Sequence, residues 1–393
     1  MKKTALLIAL ITVIALCLML CACGGEEPQP TTTTTTTAKD DGNVDDDSDN
    51  VEKGASEGLE FISNGDGTCS VSGLGVCKDK DVIIPSVSPT GDAVTCIDAY
   101  AFYYCTELES VVIPNGVESI GNYAFASCVA LEVADLPDTL TSIEAYAFYG
   151  CTSIKDIDIP DGIKSIHTLT FCGCDTLEYN VYDNARYLGN DKNPYVALIE
   201  PTDKDIVSCE IHTDARIIAS SAFSHCSALE VIDIPDSVVS IGYIAFEECT
   251  SLKHITVGVG VANIGSYAFS FCSALESVSV REGNAVYHSA GDCLIKTASN
   301  TVVLGCKNSV IPADASVTAI GAAAFSGCSG LESIDIPESI TSIGYRAFWS
   351  CTELRSLNYV GKKAQWNSIS KHGEWDYNTG AYTVRCADGS ISK

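Results

Sequence analysis

Apolar positions recur every 23 residues along most of the chain. Aligned copies share the pattern I-P-x-x-V-x-S-I-G-x-x-A-F-x-x-C-x-x-L-x-x-I-x, written IPNGVESIGNYAFASCVALEVAD at 113–135 and IPESITSIGYRAFWSCTELRSLN at 336–358. In each copy the L-x-x-I-x-I segment alternates inward and outward positions, as a strand does. The proline that follows has no N–H and ends strand pairing. The Ala-Phe segment predicts a short helical or 3-10 turn on the opposite side of the copy.

A single 23-residue copy cannot close around its own apolar face, so neighbouring copies must stack. Burial of each large side chain contributes ~1.5–3 kcal/mol, and backbone ordering offsets most of that gain. A period of 23 lies within the range of about 20–29 residues that is typical of leucine-rich repeats. The predicted fold class is therefore a β-rich or α+β solenoid, a right-handed leucine-rich-repeat array with two β-hairpin insertions.

Each copy also carries a Phe followed three residues later by a Cys. We expect the rings and the thiols to form two columns in the core, with equivalent atoms ~4.8 Å apart between neighbouring coils. A disulfide prefers a Cβ–Cβ distance of roughly 3.5–4.5 Å, so the thiols are predicted to be reduced and to act as small packing residues. The repeated residues are Phe102, Phe125, Phe148, Phe171, Phe223, Phe246, Phe269, Phe325 and Phe348, with Cys105, Cys128, Cys151, Cys174, Cys226, Cys249, Cys272, Cys328 and Cys351.

The cysteines outside this column leave alternatives open. Cys69 and Cys77 bracket one short apolar segment, and Cys293 and Cys306 bracket another. Either pair could be cross-strand neighbours joined by a disulfide in an exported protein. The sequence contains no C-x-x-C motif, so no metal site is predicted.

Composition shifts divide the chain into five segments. A β-strand N-terminal cap is expected at 59–95, the solenoid at 96–360 and a C-terminal cap at 361–393, because the terminal coils need covers for their apolar ends. Two alternating apolar runs around Gly, Asn and Asp turns interrupt the period at about 180–212 and 281–312. They are typical of β-hairpins, and we expect them to bulge from the solenoid without ending it.

The N-terminus has the form of a targeting segment. Lys2 and Lys3 precede an apolar run over residues 4–20, which Leu20-Cys21-Ala22-Cys23 follows. The Leu-x-Ala-Cys tetrad resembles the lipobox of bacterial lipoproteins, which implies a signal peptide at 1–22 and lipid attachment at Cys23. Cys21 fits less well because Leu20, which is not small, precedes it; an ordinary secretory signal is the alternative. Residues 23–58 are rich in Thr and Asp, and they predict a disordered spacer.

The net charge of the chain limits the classes of partner that it is expected to bind. The chain carries 51 acidic residues against 23 Lys and Arg, a formal net charge of -28. Phosphate neutralisation needs the opposite sign, so no nucleic-acid partner is expected. Basic partners or cations fit better.

The outward strand positions are the candidate binding residues. They should form a small, polar and moderately acidic concave face, which fits a basic protein partner or weak divalent-cation binding. The plainer interpretation is a solvated sheet face. Tyr179, beside the first insertion, is the candidate aromatic anchor. The candidates are Asp135, Asp156, Asp158, Tyr179, Asp233, His254 and Asp335.

The repeat resembles that of the BspA-like leucine-rich repeat family, and the tail Ala364-Gln365-Trp366 with Val384-Arg385-Cys386-Ala387-Asp388-Gly389 is similar to the same family. The resemblance implies a bacterial surface protein without catalytic residues or cofactor, linked to adhesion. We therefore expect an exported, lipid-anchored module at the cell envelope that binds proteins of a host or neighbouring cell. A glycan-binding or envelope-scaffolding protein is the alternative, and an enzyme is not expected.

Overall fold

The computed structural model describes residues 54–393, and these form a β-solenoid. Each regular coil contributes two short strands, where the pattern predicted one. The second strand lies at the Ser-Ile pair of the repeat, as at Ser119–Ile120. The signal peptide expected at 1–22, the lipid attachment at Cys23 and nearly all of the spacer expected at 23–58 lie outside the described residues.

The strands, in chain order, are β1 (Glu60–Ser63), β2 (Thr68–Gly73), β3 (Asp81–Ile83), β4 (Ala93–Ile97), β5 (Ser110–Val112), β6 (Ser119–Ile120), β7 (Val133–Asp135), β8 (Ser142–Ile143), β9 (Ser165–Ile166), β10 (Asn180–Tyr182), β11 (Ala185–Leu188), β12 (Ala197–Pro201), β13 (Ile217–Ile218), β14 (Val231–Asp233), β15 (Ser240–Ile241), β16 (His254–Val257), β17 (Asn263–Ile264), β18 (Ser277–Val280), β19 (Tyr287–Ala290), β20 (Cys293–Lys296), β21 (Thr301–Leu304), β22 (Ala319–Ile320), β23 (Ser333–Ile336), β24 (Ser342–Ile343), β25 (Ser356–Tyr359), β26 (Ser370–Lys371), β27 (Thr383–Cys386) and β28 (Gly389–Ser392). The helices of the described part are a 3-10 turn at Thr297–Ser299 and α1 at Lys363–Ser368.

The two strands of a coil belong to two separate columns of parallel pairing. The Leu-x-x-Ile strands form the sheets β3-β5-β7, β14-β16-β18 and β23-β25-β27-β28. The Ser-Ile strands lie in β1-β2-β4-β6-β8-β9, β10-β11-β12-β13-β15-β17 and β19-β20-β21-β22-β24-β26, each of which begins with antiparallel strands of the cap or of an insertion. Between regular coils, partners in register are 23 residues apart, as for Ser110 and Val133. The sequence period is therefore the length of one coil.

The Ala-Phe segments form the third side of each coil, and they are runs of turns instead of the expected helical or 3-10 turns. The N–H of Phe125 donates to the carbonyl of Ala147 in the next coil at 2.8 Å, whereas the N–H of Ala126 donates to Tyr123 of its own coil at 3.1 Å. A left-handed backbone at Tyr123, with φ of 57°, directs alternate N–H groups towards the next coil. An α-helix would keep its N–H groups within itself, so the turns let this side bond from coil to coil.

The repeated Phe rings stack in parallel inside the solenoid. Phe246 is fully buried, and its ring centroid lies 5.1 Å from those of Phe223 and Phe269 with 7° between the ring planes. All nine repeated Phe are buried, at 6% exposure or less. At the C-terminal end the edge of Trp375 closes the column, 6.0 Å from the ring centroid of Phe348. The rings form one spine within each run of regular coils.

The repeated cysteines do more than fill space. The Sγ of Cys128 donates to the carbonyl of Phe102 at 3.0 Å, one coil back, and Cys249 does the same to Phe223 at 3.1 Å. Eight of the nine are buried, and Cys105 is half-buried in the first coil. All 17 cysteines of residues 54–393 are free thiols, including the two pairs for which a disulfide was an open alternative.

The insertions are antiparallel hairpins, as the alternating pattern predicted, but they join the array instead of bulging from it. In the first, β10 pairs with β11 and β11 with β12, and β12 then pairs in parallel with β13 of the next coil. In the second, β19, β20 and β21 do the same before β22. The third strand of each insertion therefore takes the place of a coil strand.

After the first insertion, a lysine supplies the hydrogen-bond donors for the backbone carbonyls of the turn side. Lys204 Nζ donates to the carbonyls of Ala222 and Ser224 at 3.1 and 3.0 Å. In a regular coil the equivalent carbonyls accept N–H groups of the preceding coil, as Ala147 accepts that of Phe125. The ammonium therefore satisfies backbone acceptors that the insertion would otherwise leave without a donor.

Gly305 performs the corresponding role after the second insertion. Its N–H donates to the carbonyl of Ala324 at 2.8 Å, and its carbonyl accepts from the thiol of Cys328 at 3.6 Å. These are the two bonds that the Phe of a preceding coil makes elsewhere. A Cβ at Gly305 would lie 2.1 Å from Cε1 of Phe325. Only glycine therefore fits between the insertion and the spine.

We expect Gly305→Ala to lower the free energy of unfolding by about 1–3 kcal/mol, because the ring of Phe325 must move out of its stack to admit the methyl group. Urea unfolding followed by circular dichroism measures the change. Gly373→Ala is the matched control, since a Cβ there meets nothing within 4 Å, and it should change stability by no more than about 0.5 kcal/mol. Equal stability of the two variants would mean that Phe325 is not packed against Gly305.

The N-terminal cap begins before residue 59. Ser56 is buried, its N–H donates to the carbonyl of Ile83 at 2.8 Å, and its Oγ accepts from the N–H of Ile83 at 3.1 Å. Residues 54–58, which the composition placed in the spacer, thus pack on β3.

Candidate functional site

In each of their sheets, the outward side chains of the Leu-x-x-Ile strands form a continuous surface. Along β7, Val133 and Asp135 are exposed while Ala134 between them is buried, and β14 repeats this with Val231, Ile232 and Asp233. We call this surface the sheet face; it carries the residues expected on the concave side.

Carboxylates gather on the first of these sheets. Asp156 stands in register with Val133 of β7 through an isolated bridge, which places Asp158 next to Asp135. Partial burial raises the pKa of Asp158, and the charges of Asp156, Asp191 and Asp135 raise it further. Like charges in neighbouring positions of a sheet repel. This part of the sheet face therefore holds negative charge that favours a cation from outside.

Elsewhere on the sheet face the polar candidates already have partners. Arg281 pairs with Asp233 at 2.7 Å and with Asp236 at 2.9 Å. His254 Nδ1 lies 2.8 Å from Ser277 Oγ. Asp335, in the third sheet, accepts from the amide of Asn358 at 2.8 Å. The structure therefore does not bring the seven candidates together. Asp135, Asp156 and Asp158 form a group, and the N–H of Glu178, which donates to the carbonyl of Lys155 at 2.9 Å, places Tyr179 one coil further along the same column. Asp233 and His254 lie in the second sheet and Asp335 in the third.

Tyr179 is not a projecting anchor. Its side chain is half-buried against the core, and the guanidinium of Arg186 lies 5.8 Å from its ring centroid. Burial raises the pKa of its phenol. A partner could reach only part of this ring.

A second exposed surface, which the repeat pattern did not predict, lies on the turn side of the first three coils. We call it the tyrosine patch; it consists of Tyr100, Tyr103, Tyr104, Tyr123, Tyr146 and Tyr149. The rings of Tyr100, Tyr123 and Tyr146 stack in parallel, with centroids 5.1 and 4.6 Å apart. Tyr100, Tyr103 and Tyr104 are 56%, 50% and 67% exposed. The 23-residue spacing of the three stacked tyrosines was visible in the sequence, two residues before each repeated Phe.

No group of three or more His, Cys, Asp or Glu side chains among residues 54–393 has the arrangement of a metal site. The helices in the same range are too short or too polar to cross a bilayer.

The repeats of the chain match a known family of leucine-rich repeats. The model of the BspA type leucine rich repeat region matches in 6 copies, over residues 86–192, 202–315 and 296–372. No curated protein is significantly similar to the chain.

Several solved structures align along most of their length. A leucine rich cell surface protein from Faecalibacterium prausnitzii A2-165 is 24% identical over 80% of this chain and 96% of its own, with a TM-score of 0.35. A leucine-rich repeat protein from Bacteroides ovatus ATCC 8483 is 23% identical over 84% of this chain and 98% of its own, with a TM-score of 0.31. A leucine-rich repeat protein from Eubacterium ventriosum ATCC 27560 is 20% identical over 83% and 95%, with a TM-score of 0.37.

Proposed function

Because the chain belongs to the BspA-type leucine-rich repeat family, we propose that it is a non-enzymatic, protein-binding adhesion module held at the cell surface by a lipid on Cys23. In this proposal residues 1–22 direct export, the acidic spacer carries the solenoid away from the membrane, and the sheet face binds a basic protein of a host or neighbouring cell. Two acyl chains would hold the protein on a bilayer where one would not.

The group of carboxylates on the first sheet carries the binding proposal. Partial burial raises the pKa of Asp158, and the neighbouring carboxylates of Asp156 and Asp135 raise it further. Asp233 differs because Arg281 of the same chain neutralises it. A partner that brings Lys or Arg to the first sheet would relieve the repulsion, and such pairing also accelerates association at low salt.

The binding test uses the full-length chain in membranes or detergent, incubated with protein extracts of host and neighbouring cells. We expect saturable capture of a basic protein that weakens as salt rises. The double variant Asp156→Asn/Asp158→Asn should weaken capture, whereas Asp335→Asn, which removes one charge already engaged by Asn358, should weaken it less. Absence of saturable binding at every salt concentration would contradict the proposal. Binding to a glycan array without protein capture would favour the glycan-binding or envelope-scaffolding alternative.

The anchor is tested separately. We expect Cys23→Ala to move the chain from the membrane fraction to the soluble fraction of cells that produce it, because the acylated thiol is lost. Cys21→Ala is the matched control and should leave the chain in the membrane fraction. Proteolysis of intact cells then shows whether the solenoid faces outward. An unchanged distribution of the Cys23→Ala chain would mean that something other than this thiol holds it.

A further inference from the structure

The tyrosine patch is not required by the fold. Tyr100, Tyr123 and Tyr146 occupy a left-handed backbone position that every regular coil has two residues before its Phe. Other coils place Leu169, Ser221, Ile244, Tyr267, Ala323 or Arg346 there. Bulky side chains are uncommon in this conformation. The solenoid therefore closes without tyrosine at this position, and the aromatic side chains need another explanation.

The patch is ordered before any partner arrives. Tyr100 and Tyr123 stack with 4° between their planes, and Tyr123 and Tyr146 with 3°. Tyr103 stands edge-on to Tyr100 at 5.7 Å between centroids. Rings that already contact one another lose little rotamer freedom on binding, and tyrosine gives a large amphipathic contact area at low entropic cost.

The coils that carry the patch are strongly acidic. Residues 96–160 contain ten Asp and Glu and a single basic residue, Lys155. Lys155 is engaged, since its Nζ lies 3.0 Å from Glu132. Aromatic rings and carboxylates both attract cations, and no side chain of residues 96–160 supplies a spare one.

In the last regular coil, the same backbone position carries an arginine, and its guanidinium contacts aromatic rings. Arg346 stands two residues before Phe348, where Tyr146 stands before Phe148. Its Cζ lies 4.4 Å from the ring centroid of Trp349 and 4.9 Å from that of Tyr345, and its Nε pairs with Glu374 at 3.1 Å. The turn side of this solenoid therefore holds an arginine between aromatic rings and a carboxylate when the chain supplies one.

We propose that the tyrosine patch is a second binding site, on the turn side of the first three coils, for an arginine-rich segment of a protein partner. Guanidinium groups pack on the exposed rings of Tyr100, Tyr103 and Tyr104, and the net negative charge of these coils attracts the cationic segment at longer range. The site rests on the proposed protein-binding function and is separate from the sheet face. Arginine fits better than lysine because its planar group stacks on aromatic rings, whereas an ammonium is a compact, strongly hydrated charge.

The test measures binding of labelled nona-arginine and nona-lysine peptides to the purified full-length chain in detergent. We expect the double variant Tyr100→Ser/Tyr104→Ser to bind nona-arginine about five- to thirty-fold more weakly, the effect of losing two exposed cation–π contacts, and nona-lysine with a smaller loss. Tyr243→Ser, which removes a 39% exposed ring outside the patch, is the control and should bind as the unaltered chain does. Thermal unfolding of each variant verifies that the solenoid is intact.

Each other outcome overturns the inference. Equal affinity of the double variant and the unaltered chain would assign the peptide binding to the carboxylates alone. A neutral oligosaccharide that binds the unaltered chain and not the double variant, with peptide binding unaffected, would make the patch a glycan site. Self-association abolished by the double variant would make it a contact between copies. If the chain captures a basic protein through Asp156 and Asp158 but the tyrosine variants do not matter, this inference fails while the proposed function stands.

Discussion

Raising the pH from 8 to 10 is expected to destabilise the solenoid more than any single substitution described above. Burial raises the pKa of six thiols to about 12, those of Cys128, Cys174, Cys209, Cys272, Cys293 and Cys351. An unfolded thiol titrates near ~8.5. The folded chain thus keeps protons that the unfolded chain releases, so the contribution is complete below about pH 8.5 and is lost as the pH rises towards the folded pKa.

The size of the alkaline effect follows from the number of thiols. Each buried thiol costs up to ~1.4 kcal/mol per pH unit above its unfolded pKa, so several together lower the free energy of unfolding by an amount on the order of the whole stability of an ordinary domain. Urea unfolding at several pH values, with a reductant to prevent oxidation, measures the slope. Cys272→Ala should lower the slope by about one proton, and Cys172→Ala, which removes an exposed thiol, should lower it less. Stability that is constant from pH 8 to 10 would contradict burial of the thiols.

The parts of the fold that could be predicted from the sequence are those whose pattern repeats in every coil. The 23-residue period, the strand at Leu229-Glu230-Val231-Ile232-Asp233-Ile234 and the need to stack all follow from apolar spacing. The Ser-Ile strand escaped because a strand of two residues, such as Ser119–Ile120, has no alternation to detect. Its pairing depends on the neighbouring coil, which the local sequence does not contain.

The backbone conformation of the turn side could not be predicted for a different reason. Its left-handed positions are filled by Tyr123, Leu169, Ile244 and Arg346, residues that ordinarily avoid this conformation. Without glycine at these places the sequence gives no sign of a chain of turns, and an Ala-Phe segment suggests a helix instead. Hydrogen bonds to the next coil stabilise the backbone there, so the conformation is a property of the array.

The two junctions after the insertions could not be predicted at all. Lys204 and Gly305 have no counterpart in the repeat, and each matters only through the backbone groups it meets in the following coil.

The candidate site was predicted in part for a related reason. Outward strand positions follow from alternation, but Arg281, which neutralises Asp233, comes from two coils further along the chain. Which carboxylates keep an unbalanced charge is therefore decided by stacking.

Phe246→Ala is expected to lower the free energy of unfolding by about 3–5 kcal/mol, the usual cost of removing a buried ring from a core that cannot collapse around the cavity. Phe246 has no exposed surface, and it contacts a stacked ring on each side, Phe223 and Phe269. The substitution therefore removes two ring contacts besides the buried area.

The same variant should also reduce the cooperativity of unfolding. In a stacked array each coil is stabilised through its nearest neighbours, so a missing ring at Phe246 weakens the coupling between the coils of Phe223 and Phe269. We expect a lower urea midpoint together with a shallower transition, measured by circular dichroism. Phe246→Leu, which keeps most of the buried volume, should recover much of the loss, and Tyr104→Ala, which removes an exposed ring, should cost no more than about 0.5 kcal/mol. A midpoint for Phe246→Ala equal to that of Tyr104→Ala would show that the ring does not couple adjacent coils.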